Sequence, residues 1–278
     1  MAHAQAAGRH MPERRQSSGR LSPADRQSEL ADLVLREGSV SPQEISEAFG
    51  VSLMTAHRDI DQLVRVGMVQ KYYGGVTALP SAVFDSSIHF RSRSARAEKA
   101  AIARTAAKLV VPGMVVLLED STTTLALAHE LAEVAPLTVI TNFPEVVQVF
   151  KGRDEVRLIM LGGVYSPGHD AYLGLPCIDA VAAVRADIHF SSTSAMSTTQ
   201  AFHSEQDVVL VKRAMMSASD RSVLLMDHHK IGRTALHSLA PLSDFTDLVV
   251  DDGTDGETLA ILTERHPRLH VAPLSGEG

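Results

Sequence analysis

Apolar residues fall in two rhythms along this chain. From Ala95 onward, short runs rich in Val, Ile and Leu recur: "MVVLLE", "LTVIT", "VRLIML", "DIHFS", "SVLLM" and "DLVV". Helical stretches such as "AEKAAIARTAAKLV" separate most of them. Continuous apolar runs alternating with helices predict α/β units around a mainly parallel sheet buried on both faces. No fixed-period repeat is present. Residues 22–80 follow the other rhythm, three short helical patterns. In "LSPADRQSELADLVLREG", Ser22 is the expected N-cap, with Pro23 at N1 and Asp25 at N3, and Leu30, Leu33 and Val34 form the apolar stripe. In "SPQEISEAFG", Ser41 and Glu44 predict a capping box, Pro42 sits at N1 and Gly50 ends the helix. A third helix begins at Ser52.

At 100° per residue, Leu53, Ala56, Ile60, Leu63 and Val64 of that third helix fall within about 100°, as one buried stripe. The opposite face carries Thr55, Arg58 and Gln62, flanked by Met54 and Arg65, with His57 toward the edge of the stripe. Only Val51 and Ser52 part this helix from the one before it. Two short helices so joined make a helix-turn-helix, whose second helix enters the DNA major groove. Arg matches the two acceptors of guanine, Gln the donor and acceptor of adenine, and Met or a Thr methyl the thymine methyl. The segment "MVQKYYGGVTAL" then reads as a hairpin, with Gly74 and Gly75 supplying positive φ in its turn. Lys71, Tyr72 and Tyr73 form a wing against the phosphate backbone.

The net charge of −7 argues against a nucleic-acid partner only until the chain is divided. Residues 1–94 carry eleven Lys and Arg against ten Asp and Glu; the remainder carries fifteen against twenty-three. The acidity belongs to the C-terminal part, and DNA binding needs only a locally basic face. The 278 residues, 45% of them apolar, suffice for two domains. The division expected is a disordered tail at 1–20, a winged helix-turn-helix at 21–80, a linker at 81–94 and an α/β domain at 95–278 that binds an effector and assembles the oligomer. No run approaches the roughly 18 apolar residues that cross a bilayer, and the start of the chain shows no apolar signal region. The single Cys177 suits a reducing cytoplasm, reads as a small buried apolar side chain, and leaves no cysteine-based zinc site.

Chemistry in the larger part gathers after strands. "LLEDSTTTLALAHEL" is a strand, a polar turn and a helix, and Ser121, Thr122, Thr123 and Thr124 sit where helix N–H groups and the helix dipole favour an anion. Hydroxyl residues also cap helices for purely structural reasons, so both readings stand. "TNFP", containing Asn142, repeats the arrangement, and Gly162 and Gly163 open a glycine-rich loop, "LGGVYSPGHDAYLG", after a third strand. Three polar loops on one sheet edge define the crevice where open α/β sheets bind ligands. Glu205, Lys212 and Arg213 read onto one helix, and Asp227, Lys230 and Arg233 follow another strand. Lys212, Lys230 and Arg233 are the candidate cations for a phosphate. The His228-His229 pair is not read as a metal site, because adjacent residues rarely point at one ion and no third ligand is evident. No cofactor is expected.

Taken in this order, the residues resemble the DeoR-type transcriptional regulators. Their recognition helix, Ser-x-x-Thr-x-x-Arg-Asp-Leu, is matched by Ser52, Thr55, Arg58, Asp59 and Ile60, and their Gly-Gly wing by Gly74 and Gly75. The chain departs at His57, commonly basic in the family, and at Tyr73, commonly His. The larger part resembles the DeoR-type sensor domain from roughly Glu98 to Asp252. Asp120-Ser121, Thr123-Thr124, Thr141-Asn142, Gly162-Gly163, Gly174, Lys212-Arg213-Ala214-Met215, Asp227, Lys230 and "PLSD" from Pro241 carry that likeness. The resemblance implies a sensor fold similar to ribose-5-phosphate isomerase and glucosamine-6-phosphate deaminase. It also implies a phosphorylated sugar or related metabolite as effector, held by Asp120, Ser194, Lys212, Lys230 and their neighbours. A homo-oligomer, dimer or tetramer, bound to double-stranded operator DNA follows as well, with repression the usual mode. Two departures bear on the pocket. Thr122 stands where the family has Gly, and Ser192-Thr193-Ser194-Ala195 replaces Gly-Ala-Asp-Gly. An isomerase needs a positioned carboxylate base, so loss of that Asp argues against catalysis. The competing readings are an isomerase-type enzyme with a fused DNA-binding domain, and a regulator whose C-terminal domain only oligomerises.

Overall fold

The computed structural model describes residues 21, 23–65, 69–78, 88–266 and 268–275. The tail at 1–20, the N-cap expected at Ser22 and the first half of the linker, 81–87, lie outside them.

The N-terminal unit packs helices α1 (Pro23–Glu37), α2 (Pro42–Phe49) and α3 (Leu53–Arg65) over strands β1 (Ser39–Val40), β2 (Val69–Tyr72) and β3 (Gly75–Ala78). Its core gathers Leu30, Val34, Ile45, Ala56, Ile60, Leu63, Val69 and Val76. The Ser41–Glu44 capping box forms as expected, and Gly50 closes α2 in the left-handed conformation. β1 was not foreseen. It pairs with β3 and makes the hairpin a three-stranded sheet. Only Gly74 has positive φ, at +105°; Gly75 does not. A Cβ at Gly75 would lie 2.6 Å from the Val40 carbonyl oxygen, so glycine is required there by strand approach.

Helix α3 corrects the predicted stripe. It buries Ala56, Asp59, Ile60 and Leu63, whereas Leu53 and Val64 are exposed. The reason is Asp59. Arg26 Nε donates to its Oδ2 at 2.6 Å, Arg26 Nη2 to its Oδ1 at 3.2 Å, and Gln27 Nε2 to Oδ1 at 3.1 Å. A carboxylate so paired enters the core, and the buried arc turns toward it. Leu53 and Val64 move to its margin. His57, expected near the stripe, is exposed.

The larger unit is built on seven parallel strands: β4 (Val115–Leu118), β5 (Leu137–Thr141), β6 (Val156–Met160), β9 (Ala186–Ser191), β12 (Ser219–Met226), β14 (Asp247–Asp251) and β15 (Leu269–Ala272). Their spatial order is β15-β14-β12-β9-β4-β5-β6. Alternate residues face opposite layers. Val116, Leu118, Val223 and Leu225 meet α5 (Arg96–Ala107), α6 (Thr122–Leu131) and α7 (Pro144–Phe150). Leu117 meets α8 (Leu175–Ala182) and α9 (Gln206–Ser217). Leu224, Met226, Leu248 and Val250 meet α10 (Gly256–Arg265) and a small antiparallel sheet. That sheet comprises β10 (Ala195–Met196), β11 (Gln200–His203) and β13 (His237–Pro241), and a hairpin of β7 (Val164–Ser166) and β8 (Ala171–Leu173) follows β6. The chain runs from β4 outward to β6, then returns to β9 on the other side of β4. The crevice between those two strand ends is the switch point of the sheet. Within the segment read as a linker, α4 (Ile88–Arg91) forms one helical turn, and Ile88 is buried in the core of the larger unit.

Candidate functional site

Two surfaces bear on function. The first is the exposed side of α3. With the buried arc centred between Ala56 and Leu63, the opposite side holds Met54, Arg58 and Arg65, with His57 beside them; all are exposed, Met54 at 83%. Thr55 and Gln62 fall at the margins and are half-buried. Ser52 caps the helix, its Oγ accepting from Thr55 N at 3.2 Å. The face predicted from periodicity is therefore present, rotated toward Met54 and Arg65. In the hairpin, Tyr73 stands fully exposed and Tyr72 half so. Lys71 Nζ donates to Asp61 on α3 at 2.5 Å, tying wing to helix.

The second surface is the crevice at the switch point, and it separates hydroxyls that had been indistinguishable. Ser121 Oγ accepts from Thr124 N at 3.0 Å, and Thr124 Oγ1 donates to the Glu119 carbonyl at 2.7 Å. Ser121 is the helix cap, and the Thr124 hydroxyl is consumed by backbone carbonyls, that of Ser121 at 2.8 Å among them. Thr122 Oγ1 reaches the Arg91 carbonyl at 3.3 Å. Thr123 Oγ1 is buried with no hydrogen-bond partner. Asn142 donates its amide to the Tyr172 carbonyl at 3.0 Å, while its Oδ1 is buried and unpartnered. Asp120 Oδ1 and Arg91 Nε are likewise buried without a hydrogen bond. Buried polar groups left unpaired in a folded protein call for an explanation, and a polar ligand supplies one.

Lys212 does not stand free in the crevice. It is buried, and its ammonium donates to Glu119 while lying 4.0 Å from Asp120 Oδ1. Glu119 also accepts from Ser192 N at 2.9 Å. Lys212 thus first neutralises buried carboxylates. Lys230 is the more open cation, 3.2 Å from Asp227 Oδ2 and 3.4 Å from Ser192 Oγ. Arg213 turns away to the Leu239 and Ser238 carbonyls. Glu205 lies at the N-cap of α9, before the helix onto which it was read, and accepts from His169 Nε2 at 2.7 Å. Ser194 is buried on the β9 side of the crevice. Gly163 has a packing role: a Cβ there would meet the Leu173 carbonyl oxygen at 2.5 Å. Gly162 has open space around it.

Several residues of the crevice were missed in the sequence. Glu119 closes an apolar strand beside Asp120, and two adjacent carboxylates at a strand end were a readable signal. Arg91 falls in the segment that reads as a linker, yet its Nη2 lies 3.4 Å from His169 Nδ1. His169, in the glycine-rich loop, bridges Asp120 at 3.4 Å and Glu205. His203 on β11 stands beside His169, with ring centroids 6.0 Å apart, and His189 is fully buried on β9; neither has a local signature. Burial disfavours charge on His169, but its hydrogen bonds to Asp120 and Glu205 push it up to about 9. Burial also opposes the charged form of Asp120, yet Lys212 and His169 hold it well below the usual carboxylate range. Burial, reinforced by Lys212, lowers His189 to about 3 and brings His203 down as well. The crevice therefore combines a fixed imidazolium, an ionised Asp120 and neutral imidazoles around unpaired hydroxyl and amide groups.

No helix among the described residues is long and apolar enough to cross a membrane.

Residues 94–252 match the DeoR C terminal sensor domain, and residues 26–82 match the DeoR-like helix-turn-helix domain. An uncharacterized HTH-type transcriptional regulator of Escherichia coli K12, YgbI, is 32% identical over 91% of this chain and 99% of its own length. The glycerol-3-phosphate regulon repressor of the same organism is 27% identical over 90% of this chain and its whole length. The transcriptional repressor AccR of Agrobacterium fabrum is 28% identical over 84% of this chain and 91% of its own. Among solved structures, a D-ribose-5-phosphate isomerase in complex with phospho-erythronic acid aligns with a TM-score of 0.36 and 13% identity, covering 48% of this chain and 52% of its own. That likeness is too distant to carry an argument about chemistry.

Proposed function

The chain belongs to the DeoR family of transcriptional regulators, and from that premise we propose that it is a repressor whose hold on operator DNA is set by a phosphorylated sugar or related polyol in the crevice. One observation carries the effector half: Thr123 Oγ1, Asn142 Oδ1, Asp120 Oδ1 and Arg91 Nε are buried and unpartnered at the switch point of the sheet. Hydroxyls of a polyol pair with acceptors such as Asp120 and Asn142. An anionic group suits Arg91, Lys230 and the N-terminus of α6. Two of the relatives are repressors, one of them of the glycerol-3-phosphate regulon, which supports this class of ligand and mode of action.

Residues 21–80 act as the DNA-binding unit, with Met54, Thr55, His57, Arg58, Gln62 and Arg65 toward the bases and Lys71, Tyr72 and Tyr73 on the backbone. Residues 95–278 form the sensing and assembly unit. Ligand shifts the oligomer between DNA-binding arrangements through its differential affinity for them. A single winged helix-turn-helix covers little DNA, so specific affinity requires two or more half-sites and a cytoplasmic dimer or tetramer. The crevice binds without turnover: its carboxylates are tied to Lys212 and His169 instead of standing ready as bases.

Calorimetry of a phosphosugar panel against the wild type, Thr123→Val and Lys230→Ala tests the pocket. A charge-assisted contact from Lys230 contributes about 1.5–3 kcal/mol, so its loss weakens binding roughly ten- to a hundredfold. Ligand-free operator binding stays intact, which separates pocket damage from misfolding. No phosphorylated ligand tighter than about millimolar, or equal binding by both variants, sinks the assignment and favours a domain that only assembles.

A further inference from the structure

His228 and His229 are adjacent in the chain with no third ligand nearby in sequence, and the fold gives them a common side and a third ligand group. The residues lie on a single 3-10 turn, His228–Lys230, directly after β12. That tight turn stacks the two rings on one side, with centroids 3.9 Å apart and planes tilted by 38°. The third group comes from the first turn of α5, distant in sequence. Glu98 Oε1 lies 3.6 Å from His229 Nε2. One ligand atom from each of Glu98, His228 and His229 falls within 4.8 Å of the others.

A further contact prepares His228 for this role. Asp251 is fully buried, and its Oδ1 lies 2.5 Å from His228 Nδ1. The other carboxylate oxygen accepts from the His228 backbone N–H at 2.8 Å. A carboxylate holding one ring nitrogen fixes the tautomer and leaves Nε2 as a lone-pair donor, the outer-shell arrangement of metal-binding histidines. The same Oδ1 accepts from Gly253 N at 3.1 Å, so Asp251 holds its own turn and the His228 ring together.

We propose that Glu98, His228 and His229 bind a divalent cation of the zinc class, with Asp251 as the positioning residue behind His228. Two imidazoles and a carboxylate are a borderline-soft N/O donor set suited to tetrahedral zinc, with the fourth position open to water. Zinc holds such donors about 2.0–2.2 Å from itself, which places them roughly 3.3 Å apart. The triad closes to that spacing mainly by rotation of His229, whose side chain is 42% exposed. Bound there, the cation joins the start of α5 to the end of β12. The residue after Glu98 is Lys99, whose ammonium holds the carbonyls of Arg91 and Ser94. The metal thus braces the segment that leads toward the DNA-binding unit.

The test is zinc titration of the full chain, freed of metal by a chelator and carrying no histidine tag, against a competing chromophoric chelator. The expected result is saturable uptake of one ion per chain and a rise in melting temperature. Glu98→Gln and His229→Ala each weaken that uptake by more than about a hundredfold, beyond the effect of an outer-shell change. Zinc K-edge absorption shows only nitrogen and oxygen neighbours near 2.0 Å. Absence of saturable uptake, uptake unchanged in either variant, or a sulfur neighbour near 2.3 Å overturns the proposal.

Discussion

Asp59, Arg58 and Thr123 show how much one side chain decides. Asp59 is 1% exposed and Arg26 is its charged partner. Arg26→Ala leaves a buried carboxylate with the Gln27 amide but no charged partner, so it should destabilise the N-terminal unit by about 3–5 kcal/mol in chemical denaturation. Asp59→Ala in the same background should recover part of that loss, since the stranded charge goes with it; no recovery would mean that packing by the Arg26 stem dominates. Arg58 faces away from the buried arc and makes no contribution to the core. Arg58→Ala should cost about 1–3 kcal/mol of operator affinity in a mobility-shift titration with the melting curve unchanged. Equal affinity would remove Arg58 from the recognition surface. Thr123 has a buried hydroxyl with no partner. Thr123→Val removes that unsatisfied group at nearly constant volume. Ligand-free stability should hold or rise by up to about 1–3 kcal/mol while effector affinity falls. A loss of stability would mean that the hydroxyl is already satisfied without ligand.

At the scale of elements, α4 joins the two halves of the proposed function. Ile88 anchors it in the larger core, Thr122 and Lys99 hold the Arg91 carbonyl, and the Arg91 side chain reaches His169 in the crevice. A ligand that engages the free Arg91 Nε acts on the last residue of α4 directly. Arg91→Gln should therefore lower effector affinity and flatten the operator response to ligand, with ligand-free operator binding retained. The measurement is operator affinity across a ligand titration; a variant that responds like wild type would show that α4 is only an anchor. Periodicity located β4, β5, β6, β9, β12 and β14, because each carries a short run rich in Val, Ile, Leu or Phe; β6, at the sheet edge, is only partly buried. It did not reveal β1, the β7–β8 hairpin or the β10-β11-β13 sheet. Those strands are two to five residues long and take their definition from partners far along the chain.

Across the whole molecule, two sets of histidines set the response to pH. His169 is raised in the folded state to about 9, so its contribution is complete below the ordinary value of 6.5 and disappears as pH rises toward 9. His189 is lowered to about 3, so the unfolded chain takes up a proton first and stability falls as pH drops from 6.5 toward 3. His203 acts in the same direction as His189. The larger unit should be most stable near pH 6.5 and lose stability on both sides. In thermal melts at pH 5, 6.5 and 8.5, His169→Gln should flatten the alkaline limb and leave the acid limb. An alkaline limb unchanged in that variant would assign it to other groups.

The sequence by itself determined the fold class, the order of the two units and the helix-turn-helix with its exposed polar face. Each rests on local signals: Ser41 and Glu44 three residues apart, Gly50 after α2, apolar runs of strand length, and Arg58 on the polar side of one helix. It also brought Asp120, Thr123, Asn142 and Lys230 to one sheet edge, because polar loops after parallel strands share that edge by topology; Lys212, read onto a helix, joined them only through the family resemblance. Only the tertiary structure decided what these residues do there. It made Ser121 a cap, tied the Thr124 hydroxyl to backbone carbonyls and left the Thr123 hydroxyl unpaired. It set Lys212 against Glu119, and it turned α3 by drawing Asp59 inward. It brought Arg91 and His169 into the crevice, and Glu98 to His228 and His229. Those roles depend on distances between residues remote in the chain and on which buried groups find partners. Hydrogen bonding and desolvation act over a few ångströms of space, and the spacing of letters along a sequence does not record them.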